Sequence, residues 1–467
     1  MAFTSLDFLV FFSIILVTYY CCNSARKQLL VLVLGSWFFY GYHIPSFLLL
    51  LVASVLLNSM VSFFIKHHSS RFDRQIMFFG VGLNLLGLIF FKYIQMIAGL
   101  FFDETAINNS FVSSIVLPIG ISFYTFQGIS LILEVYNKRA FASKTEFVQK
   151  GFLNHLLFTS FYICFFPQLI AGPIVKPNQI YIQVGFKKIS TVDWGYFYKM
   201  MVLGFFLKVF IADNLNDYNP YIEVVNRFSI FTRYVLAMGY TVQVYADFAG
   251  YSFMALGLAS AFGYKLCWNF NAPFLSTSFT GLWKRWHISL YSWFYDYVFN
   301  PLLLSLRRYG GWSIFLTIII VFSLSGLWHG ANWNYLFWGL IHAFLLILEY
   351  FINQSNIFKW LRRKKLFCAC FIVLILIHVN LIFRFSSLSD LESFFDFSNQ
   401  ALFGISYLKI EYYIILFSLP VFIQHVYVVV KDKIRFKRTI DIIMYALMAF
   451  LVVSNGGLSE SFVYFQF

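Results

Sequence analysis

Two stretches hold the residue types that could do chemistry: Trp283-Lys284-Arg285-Trp286-His287-Ile288-Ser289-Leu290 and Ser325-Gly326-Leu327-Trp328-His329-Gly330-Ala331-Asn332-Trp333. Each sets a histidine beside tryptophan in apolar surroundings. A neutral imidazole is a general base near pH 7 without any large shift. His329 stands between two apolar runs, Ile314 to Leu324 and Tyr335 to Tyr350, where a helix pair must break. Ionisable side chains at membrane depth are costly and usually serve a pathway or a reaction. Gly326 and Gly330 let the backbone bend and neighbours approach closely. Asn332, three residues on, is expected to bond one ring nitrogen and fix the tautomer. His287 has Lys284 and Arg285 beside it, a pattern suited to an interfacial anchor or to contact with an anionic donor such as a phosphate.

The remaining histidines read as structural. His67 and His68 sit in a basic loop and His43 lies at a turn. His155, His378 and His425 are isolated in apolar runs, and His342 falls on the helix after the break. No Gly-x-Ser-x-Gly elbow, P-loop or Gly-x-Gly-x-x-Gly turn occurs, so a covalent serine mechanism is not indicated. The six cysteines have no zinc-site spacing and read as small buried hydrophobes without a structural disulfide. No metal site is expected.

The elements that must position these residues are membrane helices. The chain of 467 residues is 60% hydrophobic and 12% charged, which excludes a soluble domain of this size. It reads as an all-α polytopic membrane protein, a single domain over residues 1–467, with roughly ten to twelve membrane segments. Some are expected to be re-entrant or broken, above all Phe152 to Ile170, which runs into Pro167 and Pro173. Met200 to Ala212 and Tyr234 to Val244 are further apolar runs, and Gly250, Gly257 and Gly263 punctuate Tyr245 to Asn271. The formal charge of +14 comes from short basic loops such as Arg26-Lys27, Arg362 to Lys365 and Lys431 to Arg438. The positive-inside rule explains these better than nucleic-acid binding does, and it places both termini outside. The first apolar run lacks a basic leader and a cleavage site, so it reads as a retained span. No internal repeat is visible, which weighs against a duplicated transporter.

With these residues in view the sequence resembles the membrane-bound O-acyltransferase (MBOAT) superfamily. The likeness is to the bacterial branch that includes the alginate and peptidoglycan O-acetylation membrane proteins; the D-alanyl transfer protein of teichoic acids is a more distant relative. It rests on Pro118 to Gln127, Phe166 to Ile174, Tyr245 to Ser252, Asn269-Phe270-Asn271, Arg285 to Leu290, Gly326 to Ala331 and Tyr464 to Phe467. The resemblance implies helices around a central tunnel, with His329 as the catalytic histidine and His287 as a second one near the reaction path. On this reading Arg285, Trp286, Trp328, Asn332 and Asn271 bind substrate. The donor would be acetyl-coenzyme A or another cytoplasmic acyl thioester, with no further cofactor. The acceptor would be a cell-envelope polysaccharide, reached directly or through an extracytoplasmic acyltransferase partner, and the home a bacterial cytoplasmic membrane with its lipid. Two rivals stand beside it: a transporter of an acylated carrier and a non-catalytic scaffold.

Overall fold

The computed structural model describes residues 1–67, 71–137, 151–354, 363–385, 391–392, 394–395, 407–434 and 436–457. The basic stretch around Lys138 to Lys150, Arg362, most of the loop from Ser386 to Tyr407, and Tyr464 to Phe467 lie outside the described residues. Among the described residues every regular element is helical. Those used below are α1 (Leu6–Cys21), α2 (Ala25–Gly41), α3 (Pro45–His67), α4 (Asp73–Ala98), α5 (Ile121–Tyr136), α6 (Phe152–Cys164), α7 (Trp194–Phe205), α8 (Ile230–Ala261), α9 (Phe279–Trp283), α10 (Ile288–Phe294), α11 (Trp312–His329), α12 (Trp333–Ile352), α13 (Lys365–Arg384), α14 (Leu408–Val430) and α15 (Lys437–Ser454).

Seven of the described helices are long and apolar enough to cross a bilayer, with α1 and α6 apolar but shorter. The roughly ten to twelve segments of the hydropathy reading include broken and re-entrant ones, which this number leaves out. Several expected segments are too short or too enclosed to count: α5 has 16 residues, nearly all buried, and α6 has 13 and stops where Phe165 turns the chain ahead of Pro167. A helix shielded by protein need not be apolar all round. The chain is a multi-pass membrane protein.

Its contacts group into two compact units, residues 1–201 with 254–267 and residues 202–253 with 268–467. In the first unit Ser5 and Ser24 cap α1 and α2 by accepting from Phe8 N and Lys27 N. These hydroxyls satisfy donors that the first helical turn cannot. The core is built of rings: Phe166 packs on Phe11, Phe39 and Phe262 at 5.4, 5.7 and 5.8 Å between centroids. Such edge-on pairs add to the gain from burial. Asn58 and Asn84 bond each other's amides at 3.1 and 3.0 Å between α3 and α4. His155 meets Ser62 Oγ at 2.7 Å, the structural role expected of it.

The second unit holds the polar core and the His329 hairpin. After α7 the chain widens into a π-helical stretch, Phe206–Ala212, that carries Lys208. The Lys208 ammonium is buried between two carboxylates, 2.7 Å from Asp213 and 2.8 Å from Asp247. The sequence reading has Gly250 and Gly257 punctuating Tyr245 to Asn271; the structure carries one 32-residue helix, α8, through both. At Gly250 the glycine serves approach rather than a break. A Cβ there would stand 2.9 Å from the Gly204 carbonyl oxygen and 2.8 Å from Lys208 N. The real end comes at Gly263, where φ is +79°.

The cysteines also depart from expectation. None of the six forms a disulfide, and only Cys164 is buried; Cys21 and Cys370 are exposed, on the outer faces of apolar helices. An apolar run marks contact with an apolar medium, and in a membrane helix that medium is lipid as often as core.

Candidate active site

The site is built on α11 and α12. Gly326 and Gly339 bring these helices into backbone contact. A Cβ on Gly326 would lie 2.1 Å from the Tyr335 carbonyl oxygen, and one on Gly339 would lie 2.2 Å from that of Phe322. Gly326 and Gly330 are spaced as small residues are in closely packed membrane helices. A Cβ on Gly330 would run into the Tyr335 ring at 2.1 Å. The hairpin is therefore locked by shape on both sides of His329.

His329 is the last residue of α11, and Gly330 leaves the helix in an extended conformation. Its buried ring sits among Trp328, Trp338 and Phe383 at 5.0, 5.2 and 5.2 Å between centroids, each edge-on. It lines a cavity of about 30 Å³ that Trp283, Trp286, His342 and Asn380 also line. Trp283 in addition borders a larger, mainly apolar cavity of about 260 Å³ that includes Phe294, Tyr295, Phe322 and Glu349. Glu349 is pinned there, its Oε2 accepting from Thr280 N at 2.9 Å.

Asn269-Phe270-Asn271 positions the second histidine. Asn271 N donates to the Arg285 carbonyl at 2.9 Å, and Ile288 N donates to that of Asn269 at 2.9 Å. The Asn269 side chain links Ser252 and Ser289, at 3.0 and 2.6 Å. Held from both sides, His287 adopts φ +44°, a left-handed conformation that costs free energy for a residue with a Cβ. Such strain collects at functional sites, where the surroundings enforce it. The His287 ring is buried against Phe248 at 4.6 Å and meets Trp328 at 6.0 Å. Trp328 thus touches both histidines, while the cavity at His329 is lined by Trp286 and not by His287.

The other sequence candidates fall into two groups. Trp286 and Trp328 belong to the aromatic wall; Trp286 packs edge-on to Phe270 at 5.4 Å. Arg285 and Asn271 hold each other, Arg285 Nη1 donating to the Asn271 carbonyl at 3.0 Å. The side-chain bond that Asn332 makes here is a helix cap. The residue is exposed, and its Oδ1 caps α12 by accepting from Asn334 N at 3.1 Å. An asparagine just after a helix break is as apt to cap the next helix as to reach back. His378 and His425 have the structural bonds expected of them, to Tyr234 and to the Val421 carbonyl. His342 and Asn380 were missed as neighbours of His329. The one signal was the Trp338 and His342 spacing, which puts both on one face of α12. Among the described residues no group of three His, Cys, Asp or Glu side chains could hold a metal.

The arrangement is a buried imidazole at the end of a locked hairpin, beside a small cavity in a ring-lined wall. The chain belongs to the membrane-bound O-acyltransferase family, whose model matches residues 36–389. It is an acyltransferase. It is 31% identical over 358 residues to the probable alginate O-acetylase AlgI of Pseudomonas putida, covering 75% of this chain and 70% of that protein. It is 30% identical over 342 residues to the peptidoglycan O-acetyltransferase of Helicobacter pylori, covering 67% and 62%. The teichoic acid D-alanyltransferase of Bacillus subtilis matches at 29% over 265 residues, covering 53% and 62%.

Proposed function

We propose that this protein moves an acetyl group from acetyl-coenzyme A, bound from the cytoplasmic side, toward a polysaccharide outside the cytoplasmic membrane, with His329 as general base. The observation that carries the reading is the placement of His329: buried, lining a cavity, on a hairpin whose glycines fix its position. The acceptor oxygen attacks the thioester carbonyl carbon while His329 takes the hydroxyl proton. The carbon–sulfur bond then breaks, and the leaving thiolate recovers that proton from His329. Exclusion of water from the site limits hydrolysis of the thioester. Fixing both reactants supplies much of the rate. His287, joined to His329 through Trp328, belongs to the wall of the reaction path.

The names of the relatives support O-acetylation of an envelope glycan. The D-alanyl relatives make a D-alanyl thioester the donor to test beside it. Nearly all of the described chain is helix or short connection, so a long glycan has little surface on which to dock. A relay follows, in which an outer-face transferase completes delivery. The test is purified protein in vesicles with acetyl-coenzyme A on one face. Wild type should consume thioester and pass acetyl to an acceptor. His329→Ala should lose transfer by about 10³-fold while remaining folded, the middle of the range for general-base removal. Near-normal transfer by His329→Ala would overturn the mechanism. Consumption of only the D-alanyl donor would reassign the acyl group.

A further inference from the structure

We propose that Asn380 and His342 form the subsite for the carbonyl oxygen of the acyl donor, donating hydrogen bonds to the oxyanion that develops there. The inference rests on acyl transfer at His329. The cavity of about 30 Å³ beside that residue has room for a small group and none for a sugar ring. His342 and Asn380 line it and are only 2% and 6% exposed. Trp283 and Trp338, also in its wall, are each 5% exposed. Among the described residues, both ring nitrogens of His342, Nδ2 of Asn380 and Nε1 of the two tryptophans have no hydrogen-bond partner. Buried polar groups are nearly always paired, so a cluster of this kind marks a site that a ligand completes.

The balance of donors and acceptors identifies the ligand. The amide NH₂ and the two indole N–H groups only donate, and a neutral imidazole adds one donor and one acceptor. The set therefore favours a ligand atom that only accepts. The carbonyl oxygen of a thioester is such an atom, and it accepts more strongly once it carries charge.

The subsite is also close to the base. His342 stands one turn after Trp338 on α12, with rings 4.5 Å apart, and the same indole packs on His329 at 5.2 Å. Asn380 stands one turn before Phe383 on α13, whose ring meets His329 at 5.2 Å. When the acceptor oxygen bonds the carbonyl carbon, the C=O π pair moves onto oxygen, and these donors face the new charge. When the carbon–sulfur bond breaks, the pair returns and the bonds relax.

The experiment compares acetyl-coenzyme A with its dithio analogue, in which C=S replaces C=O, on wild type, Asn380→Leu and His342→Phe in vesicles. Sulfur is a weak acceptor, so lost donors matter less to the analogue. Wild type should prefer oxygen by roughly 100-fold beyond the uncatalysed preference, and each variant should reduce that ratio at least ten-fold. Because the ratio is taken within one preparation, misfolded protein does not affect it. A wild-type ratio equal to the uncatalysed one, or an unchanged ratio in both variants, overturns the assignment. Absence of thioester consumption by wild type overturns the reaction itself, a different and separately visible failure.

Discussion

Gly326→Ala tests whether the hairpin sets the position of His329. The new methyl would be built 2.1 Å from the Tyr335 carbonyl oxygen and 3.3 Å from the Cα of Gly339. Side-chain carbons essentially never come within 3.0 Å of such an atom. The obstacle is backbone, so no rotamer change relieves it, and α11 and α12 must part by about 1 Å in a close-packed interior. Overpacking of this kind costs about 1–3 kcal/mol. His329 lies less than one turn further along α11, its ring fitted between residues of α12 and α13. A misplacement of about 1 Å at a reacting group reduces rate by roughly 10²-fold. The expected result is a folded, monodisperse protein with a lowered thermal midpoint in detergent and transfer in vesicles down about 100-fold. Gly339→Ala meets the same contact from the opposite side, and its loss should not add to the first, because the helices are already apart. Gly82→Ala is the control: nothing lies within 4 Å of its Cβ position, so the rate should not change. Full-rate transfer by Gly326→Ala would refute the idea that the glycine contact positions the base.

Two further outcomes are expected. Lys208→Met leaves Asp213 and Asp247 buried without their shared cation and should destabilise the protein by about 3–5 kcal/mol in thermal or chemical denaturation, with Lys208→Met/Asp213→Asn/Asp247→Asn recovering part of the loss. Asn332→Ala should cost about 1 kcal/mol through the lost cap while transfer stays near wild type, and Asn332→Ser should restore stability. A large rate loss in Asn332→Ala would return the residue to the His329 tautomer role.

The hairpin was legible in the sequence because its physics is local. Two apolar runs, a break, and glycines at 326 and 330 are all written within one stretch. What the sequence hid depends on partners far away. His342 and Asn380 each look like a lone polar residue in an apolar helix, and only packing brings α12 and α13 around one cavity. Gly250 and Gly257 mislead for a related reason. A glycine that ends a helix and one that admits a neighbour are the same letter, and Gly250 is explained by the Gly204 carbonyl, which no local pattern reveals. Asn332 is ambiguous by sequence, because a cap and a ring partner call for the same side chain. Lys208 drew no attention at all: a single charge in an apolar run, it pairs with nearby Asp213 and with Asp247 on another helix, and the second contact is not visible locally.

That ion triad bears on how the chain is made. Helix α8 is not among the described helices whose length and composition suit a membrane crossing, and it carries Asp247 and the fully buried Arg233. Lys208 and Asp213 leave the ribosome together as a neutral pair. Asp247 follows roughly 35 residues later, about 2–7 s at the usual pace of synthesis. The pair Lys208–Asp213 thus precedes its third member, and the triad closes only once α8 has been made. The order of synthesis is thereby the order in which the three charges can meet.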